Sequence, residues 1–323
     1  SVPLTLITRA ALDLGLPADE SLLRVPALFA GLAMIVLIPT LLARHLGGTA
    51  TASLAWLLAI SPLLVLYSRI ARSYAPAVLM IWLAILAFER AWRGDSRLAR
   101  LAYPVCAALA IYLHLGAAPM VLAPLGWAAW QRWSSGDAAA HGPGWGRLTG
   151  LGVAAALLLA LLLGPAIDSL RALPGVSGGG GLPTLGTVLD VLRLQVGTAS
   201  WLVTGAMMAA AGYGAVALWR RDPTLVGLIV TVGVAHWAAL FAVRPYLLES
   251  PVVFNRYLLF WLPGALALVA FGWSRLPLGP AEAARPALLG LLVVGLAGVG
   301  PLVQPAYRTS VFLHSNPAVV FVR

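Results

Sequence analysis

Between residues 25 and 304 the chain runs through apolar stretches of 17–22 residues, separated by short breaks that carry arginine, proline and glycine. About 20 apolar residues in a helix cover the ~30 Å of a bilayer's hydrocarbon, where every backbone N–H and C=O must be satisfied within the protein. Spans are therefore predicted at 25–43, 51–67, 74–92, 149–167, 198–219, 224–243, 257–273 and 286–304, with two shorter apolar runs inside 100–133, about ten crossings in all. The expected fold class is all-α, a polytopic transmembrane helix bundle forming one domain over 1–323, with interfacial helices on the external face. Composition agrees: 61% of residues are hydrophobic, 10% are charged and the mean hydropathy is +0.91. Soluble domains run at about half and a quarter.

The formal charge of +10 rests on arginine alone, because all 21 basic residues are arginine. They stand one or two at a time between apolar runs and form no basic domain, so lipid headgroups and lipid phosphates are the expected partners and nucleic acid is not. Cys106, the single cysteine, lies within an apolar run and reads as a packing residue.

A charged seam between two strongly apolar runs is Tyr67-Ser68-Arg69-Ile70-Ala71-Arg72-Ser73-Tyr74. Arg69 and Arg72 are three apart and would share one face if the helix continued through them. Two roles fit such a pair: anchors that snorkel to headgroups, or a fork of donors for phosphate oxygens.

Two amphipathic segments are too short and too mixed to span. Residues 3–15 place Leu4, Ile7, Ala11 and Leu14 on one stripe, and 184–197 do the same with Leu185, Val188, Leu189 and Leu192. Both read as helices lying on the membrane on the same side, the second able to cover a cavity like a lid. Pro17–Ser21 is expected to be a turn, 134–147 a polar loop, Ser177–Gly181 a flexible linker, 244–256 a polar loop and 305–323 a polar tail. His114-Leu115-Gly116-Ala117-Ala118-Pro119 reads as a tight hairpin between two crossings rather than a discontinuous helix. If loops alternate, eleven arginines fall on one side and ten on the other. Setting aside Arg69, Arg72, Arg244 and Arg256 as site candidates leaves eleven against six, which places the first side in the cytoplasm.

Several stretches resemble the polytopic type C glycosyltransferases of the family that contains protein O-mannosyltransferases and the aminoarabinose transferases of lipid A. Leu22–Gly31, with its Arg24 and Pro26, is similar to the arginine-proline opening of that family's second span. Ser61-Pro62 followed by Tyr67–Tyr74 is similar to its most recognisable signature, Ala110–His114 to the histidine-bearing end of a later span, and Asn255-Arg256-Tyr257 with Pro263 to its late arginine-tyrosine and proline. Order and spacing match over roughly residues 20–275. Two departures stand out. The family's aspartate-glutamate motif, whose aspartate is taken as the catalytic base, belongs in the first external loop, and no carboxylate precedes Asp13. The first span and that loop are therefore expected to be missing, and the base is unassigned. Ile70 occupies the place of a glutamate that lies near a metal or phosphate in many relatives.

The resemblance implies a membrane glycosyltransferase at the external face of a bacterial inner membrane, moving a sugar from a polyprenyl-phosphate donor to an acceptor of unknown identity. Such a transfer needs a base for the acceptor hydroxyl and positive charge for the departing phosphate. Arg69, Arg72, Tyr74, Arg256 and Tyr257, all at external membrane ends, are the candidates for the donor phosphate, with the aromatic belt as the other reading of the two tyrosines. His114 and Glu249 are candidate substrate contacts, against a solvated turn and a solvated loop residue respectively. His236, inside an apolar run, is expected to bond a neighbouring helix. No cofactor is expected from these residues, since His114 alone near the seam leaves a metal site incomplete; a divalent metal is left open for the full-length protein. The competing reading, a transporter or lipid flippase, calls for acidic residues in mid-span, whereas those here fall in loops or at span ends.

Overall fold

The computed structural model describes residues 2–15, 20–94, 96–135, 144–164, 181–198, 200–245 and 248–275. Among them every regular element is helical. In chain order these are α1 (Val2–Asp13), α2 (Glu20–Leu46), α3 (Gly48–Ile60), α4 (Pro62–Ser68), α5 (Tyr74–Trp92), α6 (Arg97–Leu113), α7 (Ala118–Ser135), α8 (Trp145–Leu163), α9 (Leu185–Val196), α10 (Trp201–Arg221), α11 (Pro223–Val243), α12 (Pro251–Leu258) and α13 (Leu262–Ser274). Short 3₁₀ turns at Leu115–Ala117 and Leu259–Trp261 join α6 to α7 and α12 to α13.

Six helical stretches are long and apolar enough to cross a membrane, counting Pro251–Ser274 as one, and the bent pair α3–α4 makes a seventh. The predicted ten crossings are thus reduced among the described residues. The legs α6 and α7 do not reach that standard, and the predicted span 286–304 lies outside the described residues, as do the tail, most of the glycine linker, and most of the turn at Pro17–Ser21. The helix of the predicted span 51–67 breaks at Ser61-Pro62, where α3 and α4 meet at 58°. Proline pushes its predecessor out of the helical region, and Ser61 has φ −58°, ψ 114°. Pro62 then starts α4, where its missing N–H costs nothing.

The centre of the bundle is α5. Its Trp82 and Phe88 are fully buried, and Trp82 packs where Gly264 of α13 leaves room: a methyl there would sit 2.3 Å from the indole. Around it, α6 and α7 fold back on one another. The Tyr103 hydroxyl donates to the Val121 carbonyl at 2.8 Å, which two residues 18 apart could not do along one straight helix. The predicted hairpin at His114 is therefore present. On the other flank α10 and α13 touch backbone to backbone at Gly214 and Gly272, the close approach that small residues permit between membrane helices. Exposed Trp130, Trp133, Trp145 and Trp219 gather at one end of the bundle and Trp201 at the other, as an interfacial aromatic belt would place them.

The two ends differ. At the far end, Arg44 and His45 of α2 meet Glu89 of α5, Arg93 just past its end, and Asp222 at the start of α11. At the seam end lie residues 69–73, the α6–α7 turn, α1 and α9. Helix α1 shares a cavity with the seam, while α9 packs on α12 and sets its Gly197, in the left-handed region at φ 80°, against Pro62. A methyl on Gly197 would lie 2.3 Å from the proline ring. The two amphipathic helices are thus at the same end.

Candidate functional site

The seam is a break in helix and not a continuation of it. Helix α4 ends at Ser68, whose hydroxyl turns back to donate to the Val65 carbonyl at 2.8 Å, and whose Cβ nestles against Gly31 of α2. Residues 69–73 follow as bends, with the Arg72 amide donating to the Ile70 carbonyl at 2.7 Å. The single helical face predicted for Arg69 and Arg72 does not exist. Arg69 is exposed and takes no part in the cavity walls, whereas Arg72 lines them.

That cavity has a volume of about 590 Å³ and is walled by Thr5 and Thr8 of α1, Leu23 of α2, Ala71, Arg72, Ser73, Tyr74 and His114. The Tyr74 ring is buried in an aromatic cluster, 4.9 Å from Tyr67, 5.5 Å from His114 and 6.4 Å from Phe260, measured between centroids. Ring edges against ring faces fix Tyr74 in place. The first wall residues, Thr5 and Thr8, were not predicted: they lie off the apolar stripe of α1, and a polar face on an interfacial helix ordinarily means solvent.

His114 ends α6 in an extended conformation, φ −155°, and its Nδ1 accepts the Gly116 amide at 3.1 Å. A nitrogen that accepts carries no proton, so the neutral ring holds its proton on Nε2 and is a donor there. Burial first, then the charge of Arg256 and the nearness of His236, hold its pKa below the usual histidine value and keep it neutral at pH 7. The ring can therefore donate to an anion, but its one lone pair is already engaged, which suits neither a general base nor a metal ligand.

Arg256 reaches the same place from a helix, not from the predicted polar loop: residues 251–258 are helical, started by Pro251. Its guanidinium carbon lies 5.9 Å from the Tyr74 ring centre and 5.4 Å from that of Tyr257, and its buried Nε has no hydrogen-bond partner. Neither Arg72 nor Arg256 is ion-paired with an acidic side chain among the described residues. Tyr257 is half-buried beside Arg256, and its carbonyl accepts from His236 Nε2–H at 2.8 Å. Below this point the helix tightens into the 3₁₀ turn, because Pro263 has no N–H to return to Leu259. Side chains of the neighbouring helices take up carbonyls at the break: His236 that of Tyr257, and Trp82 that of Phe260 at 2.9 Å.

Glu249 stands apart from the cavity. It is exposed, its Oε1 accepts the Gly181 amide at 2.6 Å, and its carbonyl accepts from the Thr187 hydroxyl at 3.1 Å. It ties Gly181, and Thr187 of α9, to the start of α12 and is not among the residues that wall the cavity. A second tie was missed from the sequence: Gln195 Nε2 donates to the Asn255 carbonyl at 3.2 Å and to its side-chain oxygen. The signal was there, since Gln195 continues the Val188–Leu192 stripe of α9 as a polar residue on an apolar face. Beneath α9 runs an apolar groove of about 220 Å³, lined in part by Ser61, Pro62, Leu192, Val196, Trp237 and Trp261. Among the described residues no three His, Cys, Asp or Glu side chains gather as a metal site.

Comparison with known proteins returned no matching family model, no matching curated protein and no matching solved structure.

Proposed function

We propose that this chain belongs to a membrane glycosyltransferase that moves a sugar from a polyprenyl-phosphate donor to an acceptor at the external face of the membrane, with the donor phosphate held at the seam. One observation carries the reading: Arg72, Tyr74 and His114 wall a single cavity while Arg256, remote in sequence, lies over the Tyr74 ring, and neither arginine has an acidic partner among the described residues. Guanidinium groups, a phenol and a neutral Nε2–H offer donors without a competing anion, which suits phosphate oxygens at the membrane surface. The resemblance of Tyr67–Tyr74 and Asn255–Tyr257 to glycosyltransferase motifs supports a phosphate that leaves from a sugar. The apolar groove under α9 gives an isoprenoid chain somewhere to lie.

The buried carboxylates Glu89 and Asp222 sit at the opposite end, each paired with arginine, which favours this reading over a transporter that moves coupling ions. Arg69, exposed and outside the walls, is assigned to headgroup anchoring.

The test is binding of a polyprenyl phosphate to the purified chain. Arg72→Ala and Arg256→Ala each remove charge-assisted bonds worth about 1.5–3 kcal/mol, so affinity should fall roughly ten-fold or more. Lysine at either position should restore only part, because it keeps the charge and loses the fork. Arg69→Ala should bind as the wild type does. Unchanged affinity in both alanine variants would remove the phosphate site and the activity built on it.

A further inference from the structure

Among the buried residues of helix α11 the one polar side chain is His236, which is 1% exposed and lies between Gly233 and Leu240. A polar ring so deep is retained against a desolvation cost, so its bonds say what it is for. It makes one: Nε2–H donates to the Tyr257 carbonyl at 2.8 Å, while Nδ1 is buried without a partner. Tyr257 is the residue after Arg256, and its carbonyl sits where α12 gives way to the 3₁₀ turn. There the amides begin to bond three residues back instead of four, and a carbonyl can lose its helical partner. The imidazole also packs edge-on against Phe260 at 5.9 Å, and the other side of that cluster is His114 at 4.8 Å.

We propose that His236 is a positioning residue for the phosphate site: by capturing the Tyr257 carbonyl it sets the pitch of the last turn of α12 and so the height and direction of the Arg256 guanidinium. This rests on the lipid-phosphate reading given above for the affinity readout, but not for the structural one. Nothing in the ring touches the cavity, so His236 acts through Arg256. Bearing a donor on Nε2, it does what an aliphatic residue of the same size could not, and what a second helix amide cannot supply across the break.

The experiment uses the full chain in detergent micelles, with a fluorescent polyprenyl phosphate as probe and hydrogen exchange over residues 255–261 as a second readout. His236→Phe keeps a ring of similar width and deletes the donor; His236→Gln returns an amide N–H near the place of Nε2. The phenylalanine variant should weaken probe binding roughly three- to ten-fold, the span expected for one neutral hydrogen bond, and should speed exchange at 255–261. Glutamine should recover most of both. In an Arg256→Ala background His236→Phe should cost nothing further, because residues acting through one group are not additive. Wild-type affinity and wild-type exchange in the phenylalanine variant overturn the proposal, and so does an equal loss in the Arg256→Ala background, which marks general destabilisation. If the wild type has no affinity for the probe, the lipid-phosphate reading fails by itself, and the exchange of 255–261 then decides whether His236 holds the turn.

Discussion

At the scale of single residues the seam end is organised by what each side chain can no longer do. His114 has its Nδ1 engaged by the Gly116 amide and its ring among Tyr74 and Phe260, so it stays a neutral donor. Its pKa lies below the ordinary histidine value of about 6.5, which makes the folded state bind fewer protons than the unfolded one as pH falls. The associated stability is present above about pH 6.5 and is lost as pH drops toward the folded pKa. Melting temperature should therefore decline from pH 7 to pH 5 in the wild type, and the decline should be shallower in His114→Gln. An equal slope in both would show that the ring titrates normally or that other groups dominate. Tyr74, His114 and Arg256 could be singled out from the sequence because a polar side chain next to an apolar run has few places to go. Arg69 misled for the opposite reason: spacing predicts a shared face only where the helix persists, and nothing in Tyr67–Tyr74 announces that it stops at Ser68.

Elements show which interactions a linear reading leaves out. The predicted spans match α2, α5, α10 and α11 to within a few residues, because an apolar run bounded by charge defines a membrane helix with no need of its partners. What those helices do to one another is not written in periodicity. Glu89 closes α5 and Asp222 sits in the tight turn before α11, both ordinary places for carboxylates, yet with Arg44, His45 and Arg93 they form one buried knot joining three helices. Arg44 and His45 are 45 and 177 residues from the acids they bond. Burial would raise the Asp222 carboxyl, but bonds from His45, the Leu225 amide and Arg93 outweigh it and hold the group well below the usual range. Asp222 thus adds stability above the unfolded carboxylate pKa of about 4, lost only as pH falls further. It also caps α11. Asp222→Asn keeps a good cap and removes the charge, whereas Asp222→Ala removes both, so alanine should cost about 1 kcal/mol more. Glu89→Gln should be the more damaging lesion, approaching the roughly 3–5 kcal/mol of a broken buried pair, less what solvent returns to the half-exposed arginines. Thermal unfolding in detergent would rank the three; equal melting points would mean the knot is incidental to stability.

For the whole molecule the question is which end faces out. The alternating course of the helices puts Arg44, Arg90, Arg93, Arg97, Arg100, Arg132, Arg147, Arg220, Arg221 and Arg275 at the far end, and Arg9, Arg24, Arg69, Arg72, Arg193, Arg244 and Arg256 at the seam end. Among the described residues that is ten against seven, a clearer bias than the eleven against ten of the complete chain. Pairing of Arg44 and Arg93 with carboxylates does not weaken it, since orientation follows Lys and Arg and acidic residues count little. Two of the seven, Arg72 and Arg256, also sit where the phosphate reading gives them work outside the membrane. The far end should then be cytoplasmic and the cavity external. A chain with Cys106→Ser as background carries this to a measurement, with one new thiol at exposed Arg69→Cys and, in a second variant, at exposed Arg97→Cys. In intact cells a membrane-impermeant maleimide should label the first and spare the second, and permeabilised cells should label both. The reverse pattern would put the Arg72–His114 cavity in the cytoplasm, where a lipid-linked sugar donor of the proposed kind would have to be presented from the other leaflet.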